Sequence, residues 1–176
     1  MLTEMHLAGV RIDVQSSQPM VLLREAAGDR YLPIWVGQPE ATSIAMAVQG
    51  VEAPRPMTHD LMRDVLRELG VTVASIAITE LRDGTFYATI SLSRNGTAHE
   101  VSSRPSDAIA LAVRLGCRIL AATEVLDEAG IQMEGESGEG EEEAAPAVDP
   151  AEAEAELERF RRFLQEISPE DFEIGR

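Results

Sequence analysis

Apolar and polar residues alternate in several short runs along this chain, and the period of two marks strands half-buried on one face. Such runs cover residues 2–13, 20–25, 30–36, 71–80, 85–94 and 97–102. Asp83-Gly84 and Asn95-Gly96 stand between the last three, as two-residue turns of the kind that close β-hairpins. Elsewhere the period changes to that of a helix. Helical patterns follow Pro39 and Pro105, and proline is suited to a first helical turn. A third helix is predicted to start at Thr58 as N-cap, to bury Leu61, Met62, Val65, Leu66 and Leu69, and to close at Gly70. A short fourth is expected from Thr123 to Ala129, closed by Gly130. The runs IAMAV and AIALAV are nearly all apolar, which predicts two central helices packed on each other.

These elements repeat. VLLREAAGDRYLPIWVGQPEATSIAMAVQG and TISLSRNGTAHEVSSRPSDAIALAVRLG each read strand, glycine turn, strand, proline, apolar helix, glycine. Pro39 and Gly50 correspond to Pro105 and Gly116 at a constant offset. The expected fold class is therefore α+β: a single domain of two duplicated hairpin-and-helix units around a common core, with a C-terminal helix added.

Composition sharpens this picture. All 15 basic residues are arginine, which removes phosphate loops, Schiff bases and nuclease sites that depend on a lysine. Cys117 is the single cysteine, so no internal disulfide or cysteine-based zinc cluster is expected. The first residues lack the pattern of a signal peptide, and no run approaches the ~20 apolar residues of a membrane span. A cytoplasmic protein with no membrane partner is the expectation. Residues 1–133 carry 11 Arg against 16 Asp and Glu, a net of −5, and residues 134–176 carry 4 against 15, a net of −11. The expected organisation is an α+β domain over 1–133, an acidic disordered linker over 134–149, and an amphipathic helix over 150–176 with Leu157, Phe160, Leu164 and Ile167 on one stripe.

Two constellations carry candidate chemistry. Arg104-Pro105-Ser106-Asp107 stands at the mouth of the second apolar helix. As structure, Asp107 complements the helix dipole; as a site, Arg104, Asp107 and free N–H groups would converge on an anion or a metal. Glu40 places a carboxylate near the corresponding mouth of the first copy. Arg55-Pro56-Met57-Thr58-His59-Asp60 packs three charged or titratable types into six residues. There Asp60 either complements a dipole or holds a divalent ion, His59 is either an exposed residue or a proton carrier, and Arg55 can clamp a phosphate. His6 and His99 read as surface residues. With only 4% aromatic residues, no platform for stacking single strands is expected.

RPMTHDLM (55–62) and SRPSDAIALAVR (103–114), with GTFYA (84–88) between them and GQPEATSIA (37–45) before, resemble the bifunctional nuclease family over about residues 1–133. That family is described as having DNase and RNase activity. The resemblance implies an α+β fold, self-association as a homodimer or higher oligomer, and a cleft shared by the two constellations. It marks Arg55, His59, Asp60, Arg104, Ser106, Asp107 and Glu40 as site residues. Some members carry a coiled UVR-type segment after this core; the acidic stretch here is different. The lysine-free composition, rich in Ala, Arg and Gly, points to a GC-rich bacterial genome.

The expected function is a nuclease, a phosphodiesterase acting on DNA, RNA or both. His59, Asp60 and Asp107 would be catalytic, and Arg55, Arg104 and Ser106 would bind substrate. Asp60, Asp107 and Glu40 would hold Mg²⁺ or Mn²⁺. The alternative is a non-enzymatic ligand-binding or regulatory module that uses the same helix-mouth anion site.

Overall fold

The computed structural model describes residues 1–13 and 17–132. The expected linker and terminal helix lie outside these residues. Eight strands and four helices occur in the order β1 (Leu2–Ile12), β2 (Pro19–Glu25), β3 (Arg30–Trp35), α1 (Gln38–Val48), α2 (Thr58–Glu68), β4 (Thr72–Arg82), β5 (Thr85–Arg94), β6 (Thr97–Ser103), α3 (Pro105–Leu115), β7 (Arg118–Ala122), α4 (Thr123–Ala129) and β8 (Ile131–Gln132).

One sheet takes all eight strands, in the order β6-β5-β4-β7-β1-β2-β3-β8. The duplication is visible in that order. The antiparallel meander β1-β2-β3 leads into α1, and the meander β4-β5-β6 leads into α3. The two meanders lie on either side of β7, which is antiparallel to β1 and parallel to β4. This is an α+β architecture, as the sequence pattern implied. The short strands β7 and β8 were not legible in the sequence. RILAA follows an apolar helix directly and gives no alternation of its own.

Both predicted hairpin turns are present. Asp83 and Gly84 have φ of 50° and 73°, and Asn95 and Gly96 have φ of 51° and 79°. Positive φ at both central residues matches the twist of the flanking strands, and aspartate or asparagine before glycine tolerates it best. Most of the buried hydrophobic side chains form one cluster. It takes Met5, Val21, Leu23, Leu32 and Ile34 from the first meander, Ile76, Ile78 and Ile90 from the second, and Ile44, Ile109 and Leu111 from α1 and α3. As expected of their apolar runs, α1 and α3 pack on each other, and α2 packs on α3.

The start and the packing of α2 differ from expectation. Its N-cap is Met57, one residue before Thr58, because Asp60 reaches back to accept the Met57 N–H at 3.0 Å. Its apolar stripe is not buried. Leu61 is 57% exposed, Met62, Val65 and Leu69 are exposed too, and Leu66 is half-buried. The face of α2 that meets the body is the one carrying His59, which is buried. Periodicity shows that a helix has an apolar stripe, and tertiary packing decides what that stripe meets.

Candidate functional site

Three helices place their polar residues against one another beside the sheet. From α1, Glu40 and Ser43 lie one turn apart and share a face. From α2 come His59 and Asp60. Asp107 and Arg114 lie two turns apart along one stripe of α3, and Arg104 is the N-cap residue of that helix.

These side chains make one continuous hydrogen-bonded chain. Arg104 grips Asp107 with two bonds, from Nε at 2.7 Å and from Nη2 at 3.0 Å, and its Nη2 also lies 3.0 Å from Glu40 Oε1. Asp107 Oδ1 lies 3.2 Å from His59 Nε2, and His59 Nδ1 lies 3.0 Å from Ser43 Oγ. Arg114 then donates from Nη2 to Ser43 Oγ at 3.0 Å and from Nε to Asp60 Oδ1 at 2.7 Å. It also donates to the carbonyls of Ser43 and Ala110.

The partners set the proton positions. Burial works to raise the Asp107 carboxyl, but hydrogen bonds from Arg104 and His59 outweigh it and hold it below the usual carboxylate range. The ionised carboxylate only accepts, so His59 Nε2 carries the proton of that bond. Ser43 Oγ accepts from Arg114 and has one O–H to give, which reaches His59 Nδ1. With Nδ1 accepting, the imidazole is bonded on both sides, and donors run from Arg114 through Ser43 and His59 to Asp107. A serine, a histidine and an aspartate in contact invite comparison with a nucleophilic triad. Ser43, however, is only 3% exposed and is tied to Arg114, so it clamps the ring and does not meet a substrate.

The site residues expected from sequence divide among neighbouring surfaces. Glu40, His59, Asp107 and Arg104 line one open depression of about 420 Å³, with Ser43 at its back. Asp60 faces a second depression of about 220 Å³, lined also by Glu52, Arg63 and Arg114. Met57 borders both. Ser106 is buried and lines a third depression, whose rim is again Arg104. Arg55 is exposed and lines none of these three. The carboxylates therefore do not converge as one ligand set: Arg114 holds Asp60, and Arg104 holds Asp107 and Glu40. Among the described residues, no group of three or more His, Cys, Asp and Glu side chains stands ready for a metal ion.

Sequence reasoning missed Ser43 and Arg114. Arg114 is 5% exposed at its side chain. The signal available was spacing: Glu40 and Ser43 three apart, Asp107 and Arg114 seven apart, each pair on one helix face.

The bifunctional nuclease domain matches residues 21–134, which takes in every residue of this network. The chain belongs to the bifunctional nuclease domain family. An uncharacterized protein of Mycobacterium tuberculosis (strain H37Rv) is 47% identical over 169 residues, covering 96% of this chain and 97% of that protein. Bifunctional nuclease 1 of Arabidopsis thaliana is 31% identical over 103 residues, and Bifunctional nuclease 1 of Oryza sativa subsp. japonica is 29% identical over the same length. Each of these alignments covers 57% of this chain and under a third of the plant protein. Within the family domain, the three-helix network is where titratable groups meet an open depression. No helix among the described residues is long and apolar enough to cross a membrane.

Proposed function

We propose that this bifunctional nuclease domain protein hydrolyses phosphodiester bonds of DNA or RNA at the depression lined by Glu40, His59, Arg104 and Asp107. The observation that carries this reading is His59. Its ring is held at Nδ1 by Ser43 and at Nε2 by Asp107, which Arg104 grips in turn on the lining of the same depression. An imidazole fixed in this way, beside an arginine, is suited to move a proton to or from an oxygen of a phosphodiester. Water adds to phosphorus, the bond to the leaving oxygen breaks, and the proton balance passes through the ring. Arg104 stabilises the charge on the non-bridging oxygens once a phosphate competes with its carboxylates. Asp60 acts at a distance in this reading: it orients Arg114, which orients Ser43 and so the ring.

A divalent ion would have to displace Arg104 from the two carboxylates it holds. Glu40 and Asp107 are oxygen donors of the kind Mg²⁺ or Mn²⁺ takes, and they face one depression. An ion held there would supply Lewis-acid polarisation of the phosphate. Nucleic acid as substrate, a cytoplasmic location and self-association belong to the same reading. For self-association, the exposed apolar stripe of α2 is one surface among the described residues that could serve.

A second reading draws on a specific observation. Arg104 and His59 both have protein partners throughout, which suits a non-enzymatic module in which the network only shapes a binding surface. One experiment separates the two. Single- and double-stranded DNA and RNA are incubated with the protein, with and without chelator, beside the His59→Gln and Asp107→Asn variants purified identically. A nuclease loses about 10²- to 10⁴-fold in rate in His59→Gln, the usual loss for a general acid or base. Equal cleavage by variant and wild type, or binding without cleavage, defeats the enzymatic reading.

A further inference from the structure

Beside the His59 depression lies another of about 300 Å³, whose lining includes Trp35, Gly37, Thr85, Phe86, Arg104 and Ser106. We propose that it is a nucleobase subsite, in which a base of a single strand stacks on Trp35 next to Phe86 while its phosphodiester lies across Arg104 towards His59. The proposal rests on the nucleic-acid reading above and names the form of substrate.

Trp35 is the chain's single tryptophan, and it is 53% exposed. A large aromatic surface left in water at the rim of a concave site is a common mark of recognition. The residues around it come from distant parts of the chain. Trp35 ends β3, near one edge of the sheet, and Phe86 begins β5, near the other. Both nevertheless line one depression with the start of α3, which two of the chain's few aromatic residues therefore share.

Three further features favour a nucleobase. Gly37 and Gly84 line the walls without side chains, and a volume of about 300 Å³ is at the lower end of small-ligand pockets. Thr85 and Ser106 bring hydroxyl groups to the lining, where the edge of a base offers donors and acceptors. Arg104 belongs to the lining of both depressions. A base in one and its neighbouring phosphate in the other are the two halves of a nucleotide. Since Arg104 already binds two carboxylates, stacking carries most of the affinity. Paired bases in a duplex present no free face, so the site selects single strands.

The test uses the full chain in excess chelator, so that binding is read without hydrolysis. Fluorescence of Trp35 is followed against a mixed-sequence single-stranded oligonucleotide, its duplex, the same strand with abasic positions, and a mononucleotide. Quenching by the single strand and, more weakly, by the mononucleotide is expected, with little from the duplex or the abasic strand. With a labelled strand, Trp35→Leu and Phe86→Leu lose about tenfold in affinity, within the range for one base–aromatic stack, and Trp35→Phe recovers most of it. Equal quenching by the abasic strand, or unchanged affinity in Trp35→Leu, overturns the proposal. So does the absence of quenching by any nucleic acid, which leaves Trp35 as a contact for a protein partner. Binding with this pattern but without cleavage in the absence of chelator defeats only the nuclease reading. Cleavage that is indifferent to Trp35 defeats only this one.

Discussion

Arg114 shows how much one side chain holds together. Its guanidinium serves Asp60, Ser43 and the Ala110 carbonyl at once, and these partners lie on all three helices around the site. Replacing it with methionine keeps the apolar stem but takes a donor away from the Asp60 carboxylate, the Ser43 hydroxyl and the Ser43 and Ala110 carbonyls. Arg114→Met is expected to destabilise by about 2–3 kcal/mol, at or below the low end for a broken buried pair because Asp60 is partly in water. The midpoint of urea unfolding checks this. The loss is pH-dependent, with a definite sign. The hydrogen bond from Arg114 is the largest influence on the Asp60 carboxyl. Burial opposes it and the Met57 N–H adds to it, and the net effect is a value below the usual range. The stability this provides is present above the unfolded value, near 4, and is lost as the pH falls through the folded one. The gap between wild type and Arg114→Met is therefore expected to narrow below about pH 4. A constant gap down to pH 2 would show that Arg114 acts through packing alone.

Among the elements, α2 carries the clearest discrepancy between pattern and packing. Its buried contribution is a histidine, and Leu61, Val65 and Leu69 look outward. If the chain self-associates through this stripe, Leu61→Glu with Val65→Glu lowers the molecular mass in sedimentation equilibrium to that of the monomer. The melting temperature of the separated chain is expected to change little, since exposed substitutions shift stability by no more than about 0.5 kcal/mol. An unchanged mass rules α2 out as the contact. Most other elements were legible to within a residue or two: six strands, both glycine hairpins and all four helices. Alternation, paired turn residues and proline at helix starts are local signals. The strands β7 and β8 carry no such signal and exist because a sheet with open positions receives them.

For the molecule as a whole, charge is unevenly divided. Residues 134–176 carry a net of −11 and lie outside the described structure, and residues 1–133 carry −5. This acidity is expected to weaken nucleic-acid binding by repulsion, screened over roughly 10 Å at 0.1 M salt. Replacing Glu141, Glu142 and Glu143 with Gln tests it. Affinity for a single strand should rise most at low salt and converge with wild type as salt increases. Identical affinity at low salt would show that the acidic run has no part in binding.

The sequence by itself determined most of the elements, the duplication and the family, because hydrophobic period, turn chemistry and motif all act over short spans of chain. It also marked His59, Asp107, Arg104 and Glu40, which one depression does unite. Tertiary structure decided the rest. It separated Asp60 from the other carboxylates and left Arg55 on the surface. It brought in Ser43 and Arg114 as clamps and set Trp35 and Phe86 along one depression. The physical reason is that hydrogen bonds and stacking act over a few ångströms in space. Residues 43, 59, 107 and 114 become neighbours only when α1, α2 and α3 have packed.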